Sequence, residues 1–323
     1  MPNDASTRRL VLTTTPLAEA PTRWLAARCD VETIPADSPR FESKLGCADA
    51  LVVRTYTRVD DALLDRAPRL SVVGRAGVGL DNIDVAACRA RNIEVVYTPD
   101  ANTQAVVEYV VCLLGDGLRP RVRLDAPVSA EAWSQLRRET VAARQMNELT
   151  LGILGLGRVG RGVAAVASAI GFDVQYNDLL EIPKEHRSGA RPVHVEALFT
   201  ESDVISIHID GRADNREFVS RTLIDRMRPE VLLINTSRGF TVDNRGLASF
   251  LTSHPRARAI LDVHEPEPIV ATYPLLGIAN ADLLPHLASR TGTAMVNMSW
   301  VVRDVWASLV GEPPRFRAAS QLL

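Results

Sequence analysis

The sequence has no excess of charge of one sign, no long apolar run and no clustered cysteines. Its 37 Lys and Arg stand against 39 Asp and Glu, a net charge of −2. That balance removes the electrostatic argument for a nucleic-acid partner or an anionic membrane. No apolar run is long enough to span a bilayer, and Met1 to Leu10 lack the apolar stretch of a secretory leader. A cytoplasmic location is expected. Cys29, Cys47, Cys88 and Cys112 are widely spaced, without a Cys-x-x-Cys pair. Neither a disulfide framework nor a metal site is therefore expected.

Against these absences stands an ordinary globular composition, 46% hydrophobic and 24% charged over 323 residues. That length exceeds one typical core, so two domains are expected. Short apolar runs alternate with helix-patterned stretches. In the first hundred residues the runs are Leu10 to Leu12, Ala50 to Val53, Leu70 to Val73 and Ile93 to Tyr97, with helical segments at Asp60 to Arg66 and Asp84 to Arg91. Runs rich in Val, Ile and Leu suit strands buried on both faces, and the alternation implies parallel sheets. The spacing then predicts one long helix over Asn102 to Leu118, with Glu108 interrupting its apolar residues. Arg119 to Glu148 reads as irregular and polar, with no sheet strand. From Leu149 a second series begins. Its strands are expected at Thr150 to Leu154, Asp173 to Tyr176, Val204 to Ile209, Val231 to Asn235, Ala257 to Val263 and Ala281 to Leu284. Thr291 to Leu309 reads as one helix, with Met295, Met298, Val302, Val305 and Leu309 near one face and a short polar tail behind it. The fold class is α/β, with doubly wound parallel sheets.

The second series opens with Gly-x-Gly-x-x-Gly at Gly155, Gly157 and Gly160, between an apolar strand and a helical stretch, Arg161 to Ile170. Glycines alone are weak evidence, but this context gives each one a task. Gly155 permits a tight turn, Gly157 lets the backbone approach a pyrophosphate at the helix N-terminus, and Gly160 lets the helix pack closely on the sheet. The next strand ends at Asn177-Asp178, with Asp178 18 positions beyond Gly160. An acid there accepts hydrogen bonds from a ribose diol and repels a 2′-phosphate, which favours NAD over NADP. Asn177 is a rival for the same contact.

Three further segments follow later strands, where open α/β sheets bind ligands. Ile234-Asn-Thr-Ser-Arg-Gly239 places Arg238 directly after a buried strand, suited to binding a carboxylate with two hydrogen bonds. Leu261-Asp-Val-His-Glu-Pro-Glu-Pro268 ends a strand at Asp262 and sets Glu267 between two prolines. Leu284-Pro-His-Leu-Ala-Ser-Arg290 sets His286 after another strand. A His paired with a carboxylate is a good acid–base group for proton exchange with a carbonyl oxygen. His264 lies inside the acidic turn and is a weaker acid–base candidate. His208 ends an apolar strand, where a structural or cofactor contact is expected. His186, His194 and His254 sit in polar contexts and read as surface residues.

From about Ala48 to Val310 the sequence resembles the D-isomer-specific 2-hydroxyacid dehydrogenase family. Val72-Val-Gly-Arg-Ala-Gly-Val-Gly-Leu-Asp-Asn-Ile-Asp84 is similar to its substrate-domain signature, and Thr98-Pro-Asp-Ala-Asn-Thr103 to its hinge. Val52-Val-Arg-Thr55 and Gly74-Arg-Ala-Gly77 are most like the 3-phosphoglycerate branch. The resemblance implies a flavodoxin-like substrate domain of residues 1–100 plus 289–323 and a Rossmann NAD-binding domain of residues 101–288. It also implies an active site in the cleft and homodimers formed through the cofactor domain. In this scheme Arg238 holds the substrate carboxylate and carbonyl, His286 exchanges the proton, and Glu267 orients and charges His286. The amides of Ala76, Gly77, Val78 and Gly79 bind the carboxylate. Asp262 holds the nicotinamide carboxamide, Arg158 and Val159 follow the pyrophosphate, and Thr236 and His208 lie along the cofactor. Glu267 argues against the formate branch, which usually has Gln there. The chain departs from the family at Pro285-His-Leu-Ala-Ser-Arg-Thr291, at Ile209-Asp-Gly-Arg212, and over residues 119–148 apart from Trp133. No regulatory domain follows the last helix, so serine feedback in cis is not expected.

Arg54, Arg75 and Arg290 together exceed what one carboxylate needs. They point to a 2-oxo or 2-hydroxy acid with a second anionic group: phosphate, phosphonate or carboxylate. The function expected is NAD-dependent interconversion of such a 2-oxo acid and its D-2-hydroxy acid. The alternative is an NAD(H)-sensing corepressor or scaffold on the same fold, which would need only the nucleotide site.

Overall fold

The computed structural model describes residues 8–318, so the leader reading on residues 1–7 and the last five residues of the polar tail lie outside the described residues. The chain divides into two compact units, one running to Asn102 and resuming at Arg290, the other spanning Thr103–Ser289.

The first unit begins β1 (Leu10–Thr13), α1 (Glu19–Ala26), β2 (Asp30–Thr33), α2 (Pro39–Leu45), β3 (Ala50–Val53), α3 (Asp61–Leu64), β4 (Val72–Arg75), α4 (Val85–Ala90) and β5 (Glu94–Tyr97). Its five strands pair in parallel in the order β2-β1-β3-β4-β5. This is the flavodoxin-like doubly wound order. Alternate strand residues feed two cores. Leu12, Leu51, Val53 and Val73 face one side, and Val11, Ala50, Val52 and Val72 the other. Burial on both faces explains the continuous apolar runs. β2 escapes such a reading because it is an edge strand of sequence Asp-Val-Glu-Thr with no fully buried residue.

The second unit contains α5 (Thr103–Leu118), α6 (Ala130–Glu139), β6 (Thr150–Leu154), α7 (Arg158–Ile170), β7 (Asp173–Asn177), β8 (Arg191–Pro192), α8 (Val195–Glu201), β9 (Val204–Ile207), α9 (Arg221–Ile224), β10 (Leu232–Asn235), α10 (Asn244–Ser253), β11 (Arg258–Leu261) and β12 (Ala281–Leu283). Its sheet is parallel in the order β12-β11-β10-β9-β6-β7-β8, the Rossmann order with one strand added. The order reverses between β6 and β9, and ligands bind such sheets at that point. Two cores cover the two faces of the sheet. Glu108 interrupts α5 without cost because it is exposed and receives a hydrogen bond from Gln104. The stretch read as irregular contains α6, capped by the Ser129 hydroxyl on the Ala132 amide at 3.2 Å. None of its residues is buried, so no apolar face marks it in the sequence.

The chain then rejoins the first unit as α11 (Gly292–Ser299) and α12 (Val302–Leu309). The single helix expected there is broken at Trp300–Val301. The Ser299 hydroxyl donates to the Met295 carbonyl at 2.7 Å and accepts the Ala18 amide at 3.0 Å. Such back-bonding bends helices, and the turn lets Trp300 pack edge-on against Trp24.

Candidate active site

Glu267 and His286 stand on the turns that follow neighbouring parallel strands, β11 and β12. Glu267 Oε2 lies 2.7 Å from His286 Nδ1, and Oε1 accepts the His264 amide at 2.9 Å. Burial alone would raise the Glu267 carboxyl, but the hydrogen bond and charge of His286 outweigh it and hold the carboxyl below its ordinary range. With Nδ1 occupied, Nε2 is the imidazole nitrogen left for a substrate oxygen. His286 has a left-handed backbone, φ 56°, unusual for a non-glycine residue.

Asp262 holds that backbone in place. It is completely buried, and its two oxygens accept the amides of Leu287 at 2.7 Å and Ala288 at 2.8 Å. Burial pushes its carboxyl above the ordinary value, against those two amides and the charge of His286. In the structure Asp262 therefore fixes the histidine loop, a contact absent from the expectation that it serves the nicotinamide. His264 is structural too. It is buried, with Nε2 2.8 Å from the Leu284 carbonyl and Nδ1 3.2 Å from the Tyr273 hydroxyl.

Arg238 follows β10 on a closely tied turn. Its carbonyl accepts the Asn235 amide group at 2.9 Å and the Thr241 hydroxyl at 2.7 Å, while Asn235 Oδ1 accepts both the amide and the hydroxyl of Ser237. The next residue, Gly239, packs directly on the His264 backbone, where a Cβ would overlap the His264 Cα, carbonyl carbon and oxygen. Gly239 thus presses the arginine turn against the turn bearing Glu267. Sequence reading missed this residue, although its place directly after the arginine was a usable signal.

The glycine loop follows β6. Gly155 has φ 93° and sits against the His208 backbone, where a Cβ would lie 2.9 Å from the His208 carbonyl carbon. A Cβ on Gly160 would overlap the Gly155 carbonyl oxygen, so only glycine allows this approach of α7 to the loop. Gly157 caps α7 with no side-chain cap bond and with open space beyond its Cα. Asp178, one residue past β7, accepts the Leu156 amide at 2.6 Å and the Leu180 amide at 2.9 Å. Its rival Asn177 donates its amide group to the Val193 carbonyl at 2.9 Å, which ties that side chain to the edge of the sheet. Desolvation takes the His208 imidazole down to about 4, so it is neutral at pH 7, with Nε2 2.9 Å from the Ser206 hydroxyl. Thr236 Oγ1 is buried without a hydrogen-bond partner among the described residues.

The remaining predicted residues belong to the first unit. Arg54 and Arg75 follow and end the neighbouring strands β3 and β4. Arg75 is buried and donates to the Ala76 carbonyl at 2.9 Å and the Thr55 hydroxyl at 3.3 Å, so it shapes the Ala76–Gly79 loop from within. Arg54 contacts Met295 Sδ at 3.3 Å, and its Nε and Nη2 are buried without partners among the described residues. Burial and the charge of Arg290 both lower its pKa. Asn82, unremarked in the sequence, bonds the Arg54 and Thr57 carbonyls and fixes this loop.

The family described as "D-isomer specific 2-hydroxyacid dehydrogenase, NAD binding domain" matches residues 111–288. Over 276 residues the chain is 36% identical to the (S)-sulfolactate dehydrogenase of Chromohalobacter salexigens, covering 84% of this chain and 88% of that one. The chain belongs to the D-isomer-specific 2-hydroxyacid dehydrogenase family. It is 35% identical over 269 residues to the glyoxylate reductase of Aeropyrum pernix, covering 81% of this chain and 80% of that one. It is 32% identical over 257 residues to the D-3-phosphoglycerate dehydrogenase of Archaeoglobus fulgidus, covering 79% of this chain and 48% of that one, so it spans about half of that relative. Among solved structures, a glyoxylate reductase from Paecilomyes thermophila superposes with a TM-score of 0.83 at 26% identity, covering 97% of this chain and 99% of that one.

The protein is therefore an NAD-dependent 2-hydroxyacid dehydrogenase, as the sequence implied. Its residues fit the cofactor. The loop at Gly155 and Gly160 is closed to any side chain, the helix end at Gly157 is open, and the Thr236 hydroxyl is buried with no partner among the described residues. No helix among the described residues is long and apolar enough to cross a membrane.

Proposed function

We propose that this dehydrogenase interconverts a 2-oxo acid and a D-2-hydroxy acid carrying a second anionic group: sulfonate, phosphate, phosphonate or carboxylate. The observation that carries the reading is Arg54. Its buried Nε and Nη2 have no partner among the described residues, and a like charge, Arg290, lies nearby. Unpaired buried charge is costly, and an anion between two arginines relieves both the repulsion and the unmet hydrogen bonds. The named relatives whose substrates are dianions, the sulfolactate and phosphoglycerate enzymes, support it.

Residues 101–288 are assigned to NAD binding and the remainder to substrate recognition. Gly155, Gly157, Arg158, Val159 and Gly160 take the pyrophosphate, Asp178 the ribose diol, and His208, Thr236 and Asp262 the nicotinamide half. Bound NADH supplies the hydride that reaches the carbonyl carbon. Arg238 is assigned to the carboxylate and the carbonyl oxygen, and on the first unit the Ala76–Gly79 amides, Arg75, Arg54 and Arg290 are assigned to substrate recognition. His286 Nε2 donates a proton to the oxygen as negative charge develops there, and Glu267 stabilises the imidazolium that precedes donation. A nucleotide sensor would need none of Arg238, Glu267 or His286.

The test is NADH oxidation with glyoxylate, pyruvate, hydroxypyruvate, phosphohydroxypyruvate, phosphonopyruvate, sulfopyruvate and 2-oxoglutarate. The dianions should show the higher kcat/KM. Arg54→Ala should raise KM for the best dianion by about 10- to 100-fold, the value of one charge-assisted contact, and change KM for pyruvate far less. Equal effects on both substrate classes would remove the second-anion reading.

We further propose a cytoplasmic homodimer. Val122, Leu124, Val128, Trp133 and Val141 are between 39% and 68% exposed on the segment around α6, an apolar surface of the kind that marks an interface. Sedimentation equilibrium should show a dimer, and Trp133→Glu with Val141→Glu should shift it towards monomer. A wild-type monomer, or a variant that stays fully dimeric, would count against this surface.

A further inference from the structure

The turns that carry Arg238, Glu267 and His286 all touch one residue, His264. Gly239, directly after Arg238, packs on its backbone. Its amide donates to Glu267 Oε1 at 2.9 Å. Its ring reaches Leu284, two positions before His286, with Nε2 2.8 Å from the carbonyl. A carbonyl oxygen only accepts, so Nε2 carries a proton, and Nδ1 is left to face Tyr273. All of these residues belong to the second unit.

Tyr273 lies in the segment between β11 and β12 and fixes the far side of that ring. Its hydroxyl is 3.2 Å from His264 Nδ1 and donates to Asn244 Oδ1 at 3.3 Å. The two rings meet edge to face, with centroids 5.4 Å apart. Asn244 opens α10, and its Nδ2 donates to the Gly239 carbonyl at 3.5 Å, which returns the chain of bonds to the arginine turn. Tyr273 is buried, and desolvation with the charge of Glu267 pushes its phenol up to about 12, so it keeps its proton. Its own place is firm: the Tyr273 amide donates to the Val270 carbonyl at 3.0 Å, and Leu275, two positions on, is completely buried in the core. Buried hydrogen bonds linked in this way orient and strengthen one another.

We propose that Tyr273 is a positioning residue of the active site: acting through the His264 ring, it locks the turns of Arg238, Glu267 and His286 into one hydrogen-bonded unit. The inference rests on the roles proposed above for those three residues. Tyr273 needs no contact with substrate or cofactor to act in this way. Without its hydroxyl, His264 Nδ1 loses its buried partner, and the ring is free to turn away from the Leu284 carbonyl. Glu267 and the His286 turn then lose the common support that sets their separation.

The test is single-turnover oxidation of enzyme-bound NADH by the 2-oxo acid with the highest kcat/KM in the panel above. The amplitude counts active sites and the rate constant reports their geometry, so a role confined to stability would change only the amplitude. Tyr273→Phe should lower the rate constant about fivefold to tenfold, less than a full ångström of displacement costs, and leave the Kd for NADH nearly unchanged. His264→Leu, which also leaves the Leu284 carbonyl unmet, should cost about 10²-fold. His264→Gln, whose amide can still reach Leu284, should fall between wild type and His264→Leu. Adding Tyr273→Phe to His264→Leu should slow the reaction no further, because the residue through which Tyr273 acts is gone. Nitrogen NMR of the histidine rings, which needs no variant to be active, should show His264 protonated on Nε2 in the wild type. An unchanged rate constant in Tyr273→Phe, effects that multiply in the double variant, or an Nε2 without its proton would each overturn the proposal. His286→Asn is the control for the reading beneath it, and a wild-type rate constant there would instead refute the acid role of His286.

Discussion

Replacing Glu267 with Gln should reduce kcat by about 10²- to 10⁴-fold and leave the Kd for NADH nearly unchanged. The reason lies in the two bonds of the carboxylate. Oε1 accepts from the His264 amide and Oε2 faces His286 Nδ1. Glutamine has one acceptor and one donor end. If its oxygen keeps the His264 amide, its amino group meets Nδ1 and demands the tautomer with the proton on Nε2 alone. That neutral ring is a poor acid, because giving up its only proton leaves an imidazolate. If the oxygen turns to Nδ1 instead, the amino group opposes the His264 amide, donor against donor. Either way the charge that stabilises imidazolium is gone. Single-turnover reduction of a 2-oxo acid measures the effect on the proton step, and KM should move little. A variant retaining a third of wild-type kcat would exclude His286 as the acid held by Glu267.

The same pair sets an acid limit on stability. The folded Glu267 pKa lies below its unfolded value, so its contribution is complete above the unfolded pKa and is lost as pH falls through the folded one. His208 acts earlier on the way down. Its folded pKa is about 4 against an ordinary 6.5. The unfolded chain therefore takes up a proton below about pH 6.5 that the folded chain refuses, and stability begins to fall there. Urea unfolding of wild type and Glu267→Gln between pH 7 and 3 should show both losing stability from near pH 6.5, with the wild type alone losing the Glu267 share below about pH 4.5.

Gly239→Ala is expected to have the second large effect, on stability and catalysis together. The added methyl would overlap the His264 backbone rather than a side-chain tip, so no rotamer change accommodates it. The arginine turn must move away from the turn carrying Glu267. Overpacking of this kind costs about 1–3 kcal/mol. Arg238 would be displaced relative to His286, and a misplacement near 1 Å costs about 10²-fold in rate. Chemical unfolding and kcat/KM, measured on the same preparation, check both parts. A normal melting curve with normal kcat/KM would show that the two turns do not depend on each other.

Much of this protein is legible because local chemistry repeats along the chain. Strands buried on both faces must be apolar throughout, and Ala50–Val53 and Thr150–Leu154 coincide with the runs read from sequence. Edge strands escape the rule. β2 and β8 have little to bury, and β8 is Arg-Pro, a pair with little strand character. The break at Trp300 depends on Ser299 meeting Ala18, 281 positions away, which no helical period contains.

The sequence by itself determined the family, the glycine loop between strand and helix, and the residue types at the strand ends. Each of these depends on near neighbours: a strand, a turn and a helix start written within a few residues. Only the tertiary structure decided which strand ends meet. The parallel register of β11 with β12 brings Glu267 to His286 across 19 positions and Asp262 to the loop beyond it across 25. Gly239 docks the arginine turn onto His264. Arg54 stands beside Arg290 because the chain returns to its first unit after completing the second. These pairings depend on strand order and packing at a distance, and chemistry local to the chain does not encode them.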